Sequence, residues 1–167
     1  VLDVGCGTGV LLAALKDRGV KGLGLDASDI AISLCVRRGV EARKYRVGQD
    51  DLGISSVDLI VSLEVAEHLS PRDVDAYLCL ICSHSDQVLF TAAPPGQWGE
   101  GHVNEQPRDY WIKKFAKFSF RQDVEVENAI RKTWQAKEVP ALYFRNLMIF
   151  KHAKKNDENL PEEYCNE

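Results

Sequence analysis

The sequence predicts an α/β domain, a doubly wound, Rossmann-like sheet of mostly parallel strands, on three observations. Short apolar runs alternate with stretches of helical periodicity from Val1 to Thr91. The opening run ends in a loop with glycine at every second position. Polar clusters follow the apolar runs, where the strands of such a sheet present their carboxyl ends to a ligand.

Residues 1–4 read as a buried strand that leads into Gly5-Cys6-Gly7-Thr8-Gly9 and then a helix over 10–18, closed by Gly19. Glycine lets a ligand approach the backbone, and a helix start presents unpaired N–H groups. Spacing narrows the ligand. A dinucleotide fingerprint needs G-x-G-x-x-G, but position 10 is valine, which weakens a pyrophosphate reading. A P-loop needs Gly-Lys-Ser/Thr, and no lysine precedes Lys16. A nucleoside with a charged tail remains, because the Asp3 carboxylate would repel phosphate yet suit an ammonium or sulfonium.

A second strand over 22–25 ends at Asp26, placed to accept two hydrogen bonds from a ribose diol. A helix capped by Ser28 or Asp29 is expected to bury Ile30, Ala31, Leu34 and Cys35 and to stop at Gly39. A third, charged strand follows over 42–47, then the polar turn Gly48-Gln49-Asp50-Asp51-Leu52. Residues 57–63 are almost continuously apolar, as a central strand covered on both faces should be. Ser70-Pro71-Arg72-Asp73 signals a helix start, and Val74, Tyr77, Leu78 and Ile81 form its core stripe. Residues 87–91 are the fifth strand. Beyond Lys117 the pattern suggests a strand at 118–120, a loop or helix at 124–136 and a closing strand within 142–150. The domain therefore spans 1–150, and 151–167 read as a polar, frayed tail.

A chain of 167 residues is long enough for one well-buried core. Its 21 basic against 25 acidic residues give a net charge of −4, which argues against a coat for nucleic acid. Small basic clusters such as Arg37-Arg38 and Lys113-Lys114 leave RNA open as a partner, though not a favoured one. Five cysteines without regular spacing point to free thiols in a reducing, cytoplasmic setting. Cys79 and Cys82 have redox spacing but lie within a helical stretch, and Cys6 reads as a small residue tolerated beside a ligand. No apolar run approaches the roughly 18 residues of a membrane span. Since the chain opens at Val1 already inside a strand, it reads as a piece whose N-terminal helical segment is missing.

Val1 to Gly9 together with Gly24-Leu25-Asp26-Ala27-Ser28 resembles the class I S-adenosylmethionine (SAM)-dependent methyltransferases. The resemblance implies a seven-stranded sheet with an antiparallel last strand, and a lid segment ahead of the first strand. It also implies that one of Gln49, Asp50 and Asp51 receives the exocyclic amine of adenine. In this reading the amides around Gly5, Cys6, Gly7 and Gly9 and the Leu63 carbonyl hold the methionine part of the cofactor, with Asp3 near its amine. Asp26 takes the ribose, and Ala27 packs on adenine.

Glu64, Glu67 and His68 stand at i, i+3 and i+4, one face of a helix if the segment is helical. Three explanations compete: ligands for a divalent ion such as Mg²⁺ or Mn²⁺, substrate contact with proton removal by Glu64 or His68, or polar groups at a helix start. The Glu-x-x-Glu-His pattern is similar to that of quinone-biosynthesis O-methyltransferases and small-RNA 2′-O-methyltransferases, where such residues hold a divalent ion near the acceptor hydroxyl. The long loop after the fifth strand carries Trp98, His102, Asn104 and Glu105, and loops of this length are usually binding loops or lids. His102 is a fourth candidate metal ligand or the general base. With Gly-His-Val-Asn-Glu-Gln in that loop, residues 1–150 look like a bacterial and phage branch of the SAM methyltransferases, of methyltransferase-domain type 11/23. The expected function is methyl transfer to a hydroxyl or amine of a small-molecule or saccharide acceptor. The alternatives are an RNA 2′-O-methyltransferase and a catalytically idle nucleoside-binding accessory domain.

Overall fold

The computed structural model describes residues 1–48 and 53–153. Seven strands form one sheet: β1 (Leu2–Val4), β2 (Leu23–Asp26), β3 (Glu41–Lys44), β4 (Ile60–Leu63), β5 (Gln87–Thr91), β6 (Phe120–Gln122) and β7 (Met148–His152). Their order is β3-β2-β1-β4-β5-β7-β6. β1 pairs in parallel with both β2 and β4, so the chain winds outward in one direction to β3 and then crosses β1 to start the other half. That crossing makes the carboxyl ends of β1 and β4 the switch point where such sheets open a crevice. β7 runs antiparallel between β5 and β6, as the resemblance implied.

The helices are α1 (Val10–Lys16), α2 (Asp29–Arg37), α3 (Val74–His84), α4 (Arg108–Ala116), α5 (Val124–Ala136) and α6 (Ala141–Asn146). The larger core layer lies where α3 and α4 cover the sheet. The whole predicted stripe of Val74, Tyr77, Leu78 and Ile81 is fully buried there against Leu2, Ile60, Val88 and Phe90. Phe115 stacks on Phe150 at 3.9 Å between ring centroids and ties α4 to the antiparallel edge. Each such buried side chain contributes about 1.5–3 kcal/mol. A smaller cluster of Cys6, Leu12, Cys35 and Val40 joins α1 and α2 to the glycine loop on the other face.

Several elements differ from the expectation. Ile30 is 74% exposed and Leu34 only half-buried, because the face of α2 that meets the sheet is the one carrying Ala31 and Cys35. β3 ends at Lys44, although the Tyr45 amide still donates to the Asp26 carbonyl of β2. α3 starts at Val74, since 71–73 form a turn in which the Asp73 amide donates to the Ser70 carbonyl. Residues 142–146 are helical, so the closing strand is confined to β7, which runs two residues into the stretch expected to be tail. Gln49, Asp50 and Asp51, and the tail from residue 154, lie outside the described residues.

Candidate functional site

The three glycines of the opening loop share one backbone requirement, and two of them also stand where a side chain would not fit. All have positive φ: 78° at Gly5, 53° at Gly7 and 75° at Gly9. A Cβ at Gly5 would overlap the Val65 side chain, so glycine is what lets the β1 loop touch the β4 loop. At Gly9 a Cβ would lie 2.8 Å from both Cys35 Sγ and Val40 Cγ2, where α1 starts against α2. At Gly7 it would meet nothing within 4 Å.

The loop amides, expected to face a ligand, are instead committed inside the chain. Those of Gly5 and Cys6 donate to the Leu25 carbonyl, and that of Gly9 to the Cys6 carbonyl. The Gly7 amide donates to Asp26 Oδ2 at 2.9 Å, while Asp26 Oδ1 accepts from the Ser28 amide at 2.8 Å. Asp26 therefore clamps the loop to the start of α2 and still keeps lone pairs for a diol. A loop whose N–H groups are spent in this way is no anion hole, in keeping with the exclusion of phosphate. The Cys6 thiol also turns inward, 3.9 Å from Cys35 Sγ, so it is a packing group.

Asp3 is 4% exposed. Burial, reinforced by the Asp26 charge, pushes its carboxyl up to about 7. A cation beside it would restore the ionised form. Next to the loop lies a crevice of about 340 Å³, at the lower end of small-molecule sites, roughly 300–1,000 Å³. Gly5, Asp26 and Ala27 line it as expected. Tyr45, Val47, Val65, Leu69, Asp73 and Tyr77 also line it and were not singled out as ligand contacts. For Tyr45, Val47, Val65 and Leu69 the signal was positional, since they lie in the segments that follow β3 and β4. Tyr77 belongs both to the core stripe and to this wall, its hydroxyl 2.6 Å from Ser62 Oγ, which in turn donates to the Val4 carbonyl.

Beyond the ends of β4 and β5 the polar residues separate into two groups. Glu64 is not helical: it sits at φ 53°, and only Ala66–His68 form a 3₁₀ turn. Its carboxylate accepts from Gln97 Nε2 at 2.7 Å and from Asn146 Nδ2 at 3.0 and 3.2 Å. The shared helical face expected for Glu64, Glu67 and His68 therefore does not form. Leu63, whose carbonyl was expected to meet the cofactor, ends β4 and pairs with Thr91 just before this corner.

The second group is Glu67, His68 and His102. Among the described residues these offer ligand atoms all within 4.8 Å of one another. Glu67 is fully buried; Oε1 accepts from the Ala93 amide at 3.2 Å, while Oε2 has no partner. Burial pushes its carboxyl up to about 7, with the Glu64 charge adding to the rise. The His68 and His102 rings meet edge to face at 4.9 Å between centroids. His102 Nδ1 lies 2.7 Å from Glu105 Oε1. A buried carboxylate oxygen without a donor, converging with two imidazoles, is a donor set that suits a divalent cation.

Two glycines make room for the imidazoles: a Cβ at Gly99 would overlap the His102 ring, and one at Gly101 would come within 3.3 Å of His68 Nδ1. Sequence reasoning missed Gln97 and Asn146, the latter 82 residues from the carboxylate it holds.

Comparison with known proteins supports this architecture. A family profile described as a methyltransferase domain matches residues 2–81. A ubiquinone biosynthesis O-methyltransferase of Leptothrix cholodnii is 29% identical over 121 residues, which cover 67% of this chain and 47% of that protein. The chain thus spans about half the length of that curated relative. Among solved structures, an amino pentose methyltransferase of Micromonospora echinaspora with bound SAM superposes with a TM-score of 0.68 at 17% identity, covering 91% of this chain and 82% of the other. A magnesium protoporphyrin IX methyltransferase of Synechocystis PCC 6803 with bound SAH gives 0.67 at 14% identity, covering 91% and 73%. At these identities the two structures share the fold. Among the described residues no helix is long and apolar enough to cross a membrane.

Proposed function

We propose that the chain is a class I SAM-dependent methyltransferase that transfers a methyl group from SAM to a hydroxyl of a small-molecule or saccharide acceptor held beside Glu67, His68 and His102. When bound, SAM supplies an electrophilic methyl on a sulfonium. The chain's own task is to hold donor and acceptor in line and to remove the acceptor's proton. Asp26 receives the ribose, Ala27 and the apolar part of the crevice wall receive adenine, and the buried Asp3 of β1 is the carboxylate assigned to the cationic amino-acid end. In the absence of an ion, His102 accepts the proton of the hydroxyl.

The observation that carries this reading is the placement of one crevice and one polar cluster on the same carboxyl edge of the sheet, at adjacent strand ends. Glu67, His68 and His102 fit a divalent ion and would hold one, which would lower the pKa of an acceptor hydroxyl. An amine acceptor or an RNA 2′-hydroxyl would use the same groups, but no feature of the structure favours either over a small hydroxyl compound.

Titration calorimetry with SAM tests the donor half: a binding isotherm is expected for the wild type, weakened about 100-fold or more in Asp26→Ala, since two charge-assisted hydrogen bonds are lost. Absence of binding in the wild type would overturn the assignment. For the ion, metal analysis of the purified chain together with activity in chelator decides. No bound ion and full activity in chelator would leave a metal-free site served by His102.

A further inference from the structure

We infer that Glu105 is a positioning residue that fixes which nitrogen of His102 carries the proton, and that it does so through a carboxylate locked by the backbone of the same loop. Glu105 Oε2 accepts from the Gly96 amide at 2.7 Å. Oε1 accepts from the Trp98 amide at 2.8 Å and stands 2.7 Å from His102 Nδ1. Two amides on one carboxylate leave it little freedom to turn. They converge because the chain bends through left-handed conformations at Gly96, φ 87°, and at Trp98, φ 58°.

An ionised carboxylate only accepts. Nδ1 must therefore be the donor, and a neutral His102 carries its proton on Nδ1 and a lone pair on Nε2. The Gly96 and Trp98 amides, both donors, face the same carboxylate and call for its accepting form. Gly99 completes the arrangement, since a side chain there would overlap the ring edge that includes Nε2. Resting on the methyl-transfer reading, the consequence is that Nε2 is the atom that meets the acceptor's hydroxyl proton or a cation, and Glu105 selects it without touching either.

Nuclear magnetic resonance of the ¹⁵N-histidine-labelled chain in chelator, at a pH where the imidazole is uncharged, tests this directly. In the wild type, His102 is expected to show a protonated Nδ1 and an unprotonated Nε2, assigned by its loss in His102→Ala. In Glu105→Gln the amide nitrogen must face one of the backbone N–H groups that the carboxylate accepts from, so the thermal midpoint should fall by a few degrees and the Nδ1–H form of His102 should lose its dominance, while SAM affinity stays within about twofold of the wild-type value. A wild-type His102 protonated on Nε2 would overturn the inference, and so would an unchanged tautomer in a folded Glu105→Gln. Should that variant not fold, the wild-type spectrum alone decides. Calorimetry with SAM on the same sample separates the two readings: lack of binding removes the methyl-transfer assignment, whereas the wrong tautomer removes only the role of Glu105.

Discussion

The two halves of the candidate site are built by different means. The donor half, between β1 and β3, is made of backbone: glycine turns, strand ends, and one carboxylate holding two amides. The acceptor half, beyond β4 and β5, is made of side chains that reach one another across the fold: Glu64 with Gln97 and Asn146, and His102 with Glu105. The first is a rigid socket, and the second is a set of rotamers held in mutual register. Binding of the cofactor should therefore answer to changes in the glycine loop and its Asp26 clamp, and turnover to changes in the side-chain cluster beyond β4 and β5, with little crossing between them.

The sharpest test of that division is His102→Ala. On the proposed role of His102 as the base, turnover should fall by about 10²–10⁴. SAM affinity by calorimetry should stay at the wild-type value. A comparable loss of SAM binding would merge the two halves into one.

Adding a methyl group to each half sharpens the contrast. In Gly5→Ala the new Cβ meets Val65 at a backbone angle that disfavours any side chain, at a combined cost of about 2–4 kcal/mol. The thermal midpoint should drop by roughly 5–15 °C. Gly99 has no such backbone requirement, and the three atoms its Cβ would come closest to all belong to the His102 ring. Gly99→Ala should leave the midpoint within a few degrees while turnover falls about tenfold as the ring is pushed off Glu105. Equal melting behaviour in the two variants would break the distinction.

The smallest effect expected is in proton linkage at Asp3. Its carboxyl, raised to about 7 in the free protein, is largely protonated at pH 6. A cationic ligand favours the ionised form, so SAM binding should release up to about one proton near pH 6 and almost none above pH 8. Affinity should accordingly strengthen as pH rises through 7. Without a ligand the sign is opposite. A carboxyl raised in the folded state stabilises fully below its unfolded value near 3.8, and that contribution is lost as pH rises toward 7. Binding heats in two buffers of different ionisation enthalpy measure the proton count.

The same division explains what could be read in the sequence. Residues 1–9 and 22–28 show the donor half because glycine spacing and a strand-end carboxylate are local signals. The stripe of α3 and the limits of β5 were equally plain. Tyr45 and Val47 were hidden because sequence alone did not show that β3 stops at Lys44. Glu64 was misplaced because helical spacing assumes a helix, whereas that residue turns through the left-handed region. Asn146 and Gln97 carry no local mark at all, since their meaning comes from β7 returning antiparallel beside β5 and bringing α6 to the strand ends.

Glu67 has one more consequence. Its side chain takes the amide of Ala93 and its carbonyl takes those of Val103 and Asn104, so a single residue fastens both ends of the connection that follows β5. The span between the fasteners resembles a cassette in a fixed frame. Natural drift or a designer could exchange residues 97–101 for another short insert, retuning which acceptor is admitted while leaving the donor socket alone.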